Sequence, residues 1–105
     1  MNKIDQLKEF LKATPNDSFL QHALALELIK MGNDEEAKLL FENILLKEPA
    51  YVGSYFHLGK LLERLNDIPS ALQTYESGMK EAKLAQDNHS YNELQAAQED
   101  ITDED

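Results

Sequence analysis

The chain repeats its own pattern when it is shifted by 34 residues, and this self-similarity is the strongest constraint on its fold. In this register proline falls on proline, small residues fall on small residues, and aromatic residues fall on aromatic residues. The aligned pairs are Pro15 and Pro49, Leu24 and Leu58, Ala25 and Gly59, Leu28 and Leu62, Asn33 and Asp67, Ala37 and Ala71, and Phe41 and Tyr75. Because chance agreement of so many residue types is improbable, we infer a fold built from repeated structural units.

Apolar residues recur at spacings of three and four along almost the whole chain, as in Ile4, Leu7 and Leu11. This spacing is typical of amphipathic helices, and no segment reads convincingly as a strand. Prolines, glycines and capping residues divide the pattern into about six helices. The predicted helices lie near residues 2–13, 17–31, 34–47, 51–65, 68–86 and 88–101. Since short connections make neighbouring helices antiparallel, the sequence predicts an all-α fold of helical hairpins.

The period and the pattern resemble the tetratricopeptide repeat family, whose helix-turn-helix units stack into a right-handed superhelix. The resemblance implies a single domain over residues 1–105. Its implied segments are residues 2–15 for half of a preceding repeat, 18–51 and 52–85 for two full repeats, 88–101 for a C-terminal capping helix, and 102–105 for an acidic tail. The chain departs from the family pattern at Gln21 and Tyr55, where the family favours Trp, and at Lys83, where it favours Pro.

The repeat positions have a physical explanation. We expect small residues where the two helices of a hairpin cross closely, and these are Ala25, Gly59, Ala37 and Ala71. Phe41 and Tyr75 are expected to fill the space between adjacent hairpins, and Pro49 to end a hairpin. The leucines expected around the aromatic rings are Leu24, Leu28, Leu58 and Leu62.

Charge and composition exclude several classes of partner. Ten basic and twenty acidic residues give a net charge of −10, which argues against nucleic acid and against an anionic membrane surface. No Lys or Arg follows Lys83, so the acidity is concentrated towards the C-terminal end. The chain contains no cysteine and its N-terminal segment lacks the apolar stretch of a signal peptide, which fits a cytoplasmic protein.

In the resembled family, the first helix of each hairpin lines the concave, partner-binding surface. Carried over by position, this surface comprises Phe19, His22, Leu26, Ile29 and Lys30 from the first repeat and Gly53, Phe56, Lys60, Glu63 and Arg64 from the second. Its mixture of apolar and basic groups suits a peptide with apolar anchors and some negative charge. Alternatively, Phe19, Leu26, Ile29 and Phe56 pack inside the stack, since apolar residues at helical spacing are usually core.

Several kinds of functional site are not expected. One subset of the family grips a terminal carboxylate with Lys, Asn and Arg, but His22, Leu26 and His57 stand at such positions here. The three histidines lack the spacing of a helical metal site, and no phosphate-binding glycine loop or nucleophile motif is present. We therefore predict no catalytic residue, no metal site and no cofactor.

The leading functional hypothesis is a protein-protein interaction module, a scaffold or adaptor that binds a peptide or protein segment in its concave groove. Because two repeats are near the lower limit for a stable array, the alternative is a homo-oligomerisation module or a subunit of a larger assembly. The sequence leaves open whether the protein is a monomer or a homodimer. A further hypothesis is that the acidic residues 99–105 fold back over the basic groups of the concave face.

Overall fold

In the computed structural model, residues 2–102 are described, and they form six α-helices with no strand among them. The helices are α1 (Lys3–Ala13), α2 (Ser18–Lys30), α3 (Asp34–Lys47), α4 (Gly53–Arg64), α5 (Ile68–Leu84) and α6 (Asn88–Thr102). This confirms the all-α prediction, and each helix end lies within two residues of its predicted place. Of the predicted acidic tail, all but Thr102 lies outside the described residues.

The helices fall into two compact units, Met1–Glu48 with α1 to α3 and Pro49–Asp105 with α4 to α6. In the N-terminal unit α2 packs against both α1 and α3. The buried apolar residues of the N-terminal unit are Leu24, Ala25, Leu28, Ala37, Phe41 and Ile44. No residue of α1 is fully buried, so the core of this unit belongs to the α2–α3 hairpin.

A polar network joins the start of α2 to the end of α3. The ammonium of Lys47 donates to the carbonyl oxygen of Asn16 at 2.9 Å and to the side-chain oxygens of Ser18 and Gln21 at 2.9 and 3.1 Å. The Ser18 hydroxyl in turn donates to the Glu48 carboxylate at 3.0 Å. Because these polar groups are hydrogen-bonded to one another, hydrogen bonds as well as apolar packing hold the start of α2 against the end of α3.

In the C-terminal unit α5 packs against α4 and α6, and α4 also contacts α6. Glycines allow these close approaches. A Cβ atom at Gly59 would lie 2.6 Å from Cζ of Tyr75, and one at Gly78 would lie 2.6 Å from Cβ of Tyr55 and 2.9 Å from Cδ1 of Leu94. Gly78 of α5 is therefore the point where all three helices meet.

Three helices end in the same way. Gly32, Asn66 and Gln86 follow α2, α4 and α5 with positive φ angles of 78°, 64° and 58°. The amide of the next residue in each case donates back to a carbonyl five residues earlier, at 2.8 to 2.9 Å, in the geometry of a Schellman motif. No helix in the described part of the chain is long and apolar enough to span a membrane.

Side-chain capping differs among the helix starts. Asp67 accepts a hydrogen bond from the amide of Ser70, and Asp87 accepts one from the amide of Ser90. At the start of α3, by contrast, the side chain of Asn33 makes no cap hydrogen bond and donates to the Glu36 carboxylate at 3.2 Å.

Candidate partner-binding surface

The two sides of α4 differ in burial. One side is buried and consists of Ser54, Tyr55, Leu58, Gly59, Leu61 and Leu62. The other side carries Phe56, Lys60 and Arg64 at successive spacings of four residues, which places them in one row along the helix. We call these three residues the α4 row. Phe56 and Lys60 are half-buried and Arg64 is exposed, so the row faces outwards.

The α4 row combines an aromatic face with positive charge. The Lys60 ammonium lies 5.7 Å from the centroid of the Phe56 ring, within the range of a cation–π contact. The same ammonium lies 3.8 Å from a carboxylate oxygen of Glu63. These contacts hold the lysine against the helix and present a mixed apolar and cationic surface.

Glu63 is anchored from the core side. The hydroxyl of Tyr75, whose side chain is completely buried, donates a hydrogen bond to the Glu63 carboxylate. Burial, and then this hydrogen bond to an anion, raise the pKa of the Tyr75 hydroxyl well above its usual range. The phenol therefore stays protonated and keeps Glu63 fixed beside Lys60.

Acidic residues of α6 also act on this surface. The sequence interpretation missed Glu93, whereas Asp100, which lies in α6, is one of the residues 99–105 that it hypothesised to fold back over the concave face. Burial lowers the pKa of His57, while the negative charge of Glu93 opposes this shift and Arg64 adds to it. The charge of Asp100 contributes to the raised pKa of Tyr75. Glu93 and Asp100 are therefore part of the electrostatic environment of α4.

A second register in the sequence could have revealed this role of α6. At a shift of 36 residues, Ser54 falls on Ser90, Tyr55 on Tyr91 and Leu58 on Leu94. The α6 helix thus repeats the pattern of a first helix, displaced by two residues because α5 is longer than α3. At the positions that correspond to Gly59 and Leu62, however, α6 carries Gln95 and Gln98. These residues are polar at the places where a first helix packs against the second helix of its hairpin.

The predicted residues on α2 occupy different environments. Phe19 is 71% exposed and Lys30 is exposed, with its ammonium 3.1 Å from Glu27. Leu26 and Ile29 are half-buried, and the half-buried ring of His22 packs edge-on against Phe41 with 5.6 Å between centroids. Gly53 is exposed at the start of α4. Phe19 and Lys30 are therefore the most accessible of the α2 residues predicted to contact a partner.

The residues predicted for repeat structure are buried, apart from Pro49, which is exposed after the end of α3. The buried positions are Leu24, Ala25, Leu28, Ala37, Phe41, Leu58, Gly59, Leu62, Ala71 and Tyr75. The sequence predicts that the rings of Phe41 and Tyr75 fill the space between adjacent hairpins. Phe41 contacts the His22 ring and Tyr75 contacts Gly59 within single hairpins, and the filling of the space between hairpins stays a prediction.

Comparison with known proteins decides the family. A crystal structure of a tetratricopeptide repeat domain protein from Salinibacter ruber is 38% identical, with a TM-score of 0.81 over 85% of this chain and 99% of that one. The chain belongs to the tetratricopeptide repeat family. No protein-family model and no curated protein sequence matches it.

Two further solved structures support the fold alone, because their sequences are more distant. A solution structure of a Bordetella parapertussis protein is 24% identical, with a TM-score of 0.86 over 100% of this chain and 91% of that one. The TPR2B domain of yeast Sti1, in a complex with pHsp70, is 18% identical, with a TM-score of 0.71 over 90% of this chain and 81% of that one.

Proposed function

We propose that this tetratricopeptide repeat protein is an interaction module that binds a segment of another protein through its first helices. The observation that carries this proposal is the α4 row, in which Phe56, Lys60 and Arg64 face outwards while the opposite side of α4 supplies the core. The fold does not use these outward-facing groups to build its core. They are the kind of aromatic and cationic side chains that anchor partners at interfaces.

The chemistry of the row defines the segment that would bind. An apolar side chain of the partner would pack on the half-buried ring of Phe56, and a carboxylate of the partner would pair with Lys60 or Arg64. Glu63 stands next to Lys60 and disfavours an unbroken run of acidic residues in the partner. We therefore propose a peptide with an apolar anchor and a few acidic residues.

The exposed residues of α2 extend the same chemistry to the N-terminal unit. Phe19 offers an accessible aromatic ring and Lys30 a cation, at the sequence positions that correspond to Gly53 and Arg64. We propose that the repeats at residues 18–51 and 52–85 belong to one cytoplasmic domain that acts as a scaffold or adaptor and not as an enzyme. The absence of cysteine and the lack of a nucleophile motif in the sequence support this view.

Selection of peptides displayed on phage would test the proposal. The selected peptides should share an aromatic or aliphatic residue near one or more carboxylates, and isothermal titration calorimetry would give their dissociation constants. A Phe56→Ala, Arg64→Glu variant should bind them at least about tenfold more weakly. Peptides bound equally well by this variant and by the parent protein would place the binding surface elsewhere.

A matched control separates recognition from a general loss of charge or exposed apolar surface. Leu84→Ala, Lys80→Glu makes comparable changes on α5, where Leu84 is 75% exposed and Lys80 is exposed. Affinity for the selected peptides should stay within about twofold of the parent value in this variant. Circular dichroism should show the same helix content for both variants.

The second candidate is homo-oligomerisation, and the observation that favours it is the exposure of α1. This helix buries none of its residues, and Phe10 on it is 61% exposed. Contact between two copies through α1 would cover this ring. Light scattering coupled to size-exclusion chromatography should then show a dimer that Phe10→Gln dissociates, whereas a monomer at all concentrations rules this candidate out.

A further inference from the structure

The outer face of α3 carries two leucines that the fold leaves in solvent. Leu39 is 65% exposed and Leu46 is 86% exposed. They are seven residues apart, so they lie two helical turns apart on the same face. Exposed leucines are not unusual singly, but a pair at this spacing forms a short apolar seam of the kind that a second helix covers.

The other repeats show that these leucines are not required by the fold. At the corresponding positions α1 carries Asp5 and Lys12, and α5 carries Gln73 and Lys80, which are all exposed. Only α3 has apolar residues at both positions. The repeat fold thus forms with polar groups at these places, and the leucines of α3 need another explanation.

The exposed charges nearest to the two leucines are acidic, and the half-buried Lys38, which precedes Leu39, lies farther round the helix. Glu35 and Glu42 are exposed on the same face, three or four residues from a leucine. The nearest lysine towards the C-terminal end, Lys47, directs its ammonium to Asn16, Ser18 and Gln21 and so away from this face. The seam therefore has the two leucines along its centre and the carboxylates of Glu35 and Glu42 along one edge.

We propose that the outer face of α3 is a second docking surface, and that its occupant is a basic amphipathic helix of a partner protein. Apolar residues of that helix would cover Leu39 and Leu46, and its Lys or Arg residues would lie against Glu35 and Glu42. A second copy of this chain fits this face less well, because two identical α3 faces would bring Glu35 and Glu42 of one copy near the same carboxylates of the other. This surface is separate from the α4 row and does not depend on the function proposed for it.

A synthetic helical peptide provides the probe. We would use a peptide of leucine and lysine with leucines at heptad spacing, and a second peptide of the same composition with its leucines distributed around the helix. Isothermal titration calorimetry should show that the intact protein binds the first peptide at least about tenfold more tightly than the second. Equal affinity for the two peptides would show attraction by charge alone and would overturn the assignment.

Substitutions on the surface then locate the contact. Leu39→Gln, Leu46→Gln should weaken binding of the heptad peptide at least about tenfold without changing the helix content, because both side chains are exposed. The control Leu84→Gln removes an exposed leucine from α5 and should leave the affinity unchanged. Loss of binding in the control as well, or no loss in the α3 variant, would contradict docking on α3.

Two further measurements test whether the peptide binds the α4 row instead, and whether a second copy of the chain covers the α3 face. Phe56→Ala, Arg64→Glu should bind the heptad peptide as the parent does, since it alters only the α4 row. Light scattering of the protein alone should show no dimer that Leu39→Gln, Leu46→Gln dissociates. Such a dimer would mean that a second copy, and not a basic partner, covers this face.

Discussion

The hydroxyl of Tyr55 donates a hydrogen bond of 2.6 Å to the carbonyl oxygen of Pro49, six residues earlier. The preceding repeat makes the same connection with a different side chain: the amide of Gln21 donates to the carbonyl of Pro15 at 2.9 Å. Burial, followed by the charge of Glu81, raises the pKa of Tyr55, which keeps its hydroxyl protonated as a donor. Each repeat therefore ties its first helix back to the proline that precedes it.

Tyr55→Phe should lower the free energy of unfolding by about 1 kcal/mol, because it leaves the carbonyl of Pro49 without this donor and changes little else. Urea unfolding monitored by circular dichroism would measure the change. Tyr91→Phe, at the corresponding position of α6, is the matched control, since Tyr91 is only half-buried. Equal losses for the two variants would show that the bond to Pro49 contributes nothing specific.

Gly59→Ala should destabilise the protein by about 1 to 3 kcal/mol, because the added methyl group would overlap the ring of Tyr75. Gly53→Ala is the control on the same helix: its added methyl group would meet no atom within 4 Å. The control should be neutral or stabilising by up to about 1 kcal/mol, owing to the better helix propensity of alanine. Denaturant midpoints of the two variants would separate packing from propensity.

Asn66→Gly and Gln86→Gly should each stabilise the protein by roughly 0.5 to 1 kcal/mol. Both residues have positive φ angles, which cost a side chain energy that glycine avoids. Gly32→Ala, at the equivalent place after α2, should lower stability by about 1 kcal/mol. Thermal unfolding would measure the stability of all three variants. If Gln86→Gly destabilises the protein, the glutamine side chain contributes more to stability than its positive φ angle costs.

His57 should make stability depend on pH. Its pKa in the folded state lies below the ordinary value of 6.5, chiefly through burial, so the unfolded chain binds the proton more readily. The free energy of unfolding should therefore fall as the pH is lowered below about 6.5, and recover as it is raised. Urea titrations between about pH 5 and 7.5 would measure this dependence.

Two variants test the origin of that dependence. His57→Gln removes the titrating group and should flatten the profile of stability against pH. Glu93→Gln removes the charge that opposes the shift, so the pKa of His57, followed by its ring proton resonances in NMR, should fall further. A pKa that rises in Glu93→Gln would mean that the charge of Glu93 does not act on this ring.

The shift of 34 residues and the helix-boundary residues were sufficient to predict six helices and the family. They succeed because a helix stop is a local backbone requirement, as Gly32 at a positive φ angle illustrates, and because the close helix crossing repeats with the period, as Gly59 beneath Tyr75 illustrates. The surface was less predictable. The family resemblance assigned Phe56, Lys60, Glu63 and Arg64 to one surface and left open whether Phe56 packs inside the stack. It did not indicate that Glu63 is held by Tyr75 or that α6 contributes Glu93.

The sequence by itself determined the repeat period, the helices and the residues that form the hairpin cores, because apolar spacing and backbone preferences act over a few residues. Only the tertiary structure decided which side chains remain accessible and which charges meet. His22 and Phe19 occupy neighbouring turns of α2, yet one packs on Phe41 and the other is 71% exposed. Exposure depends on what the neighbouring helices cover, and electrostatic pairing on distances across helices, so neither can be obtained from the order of residues along one helix.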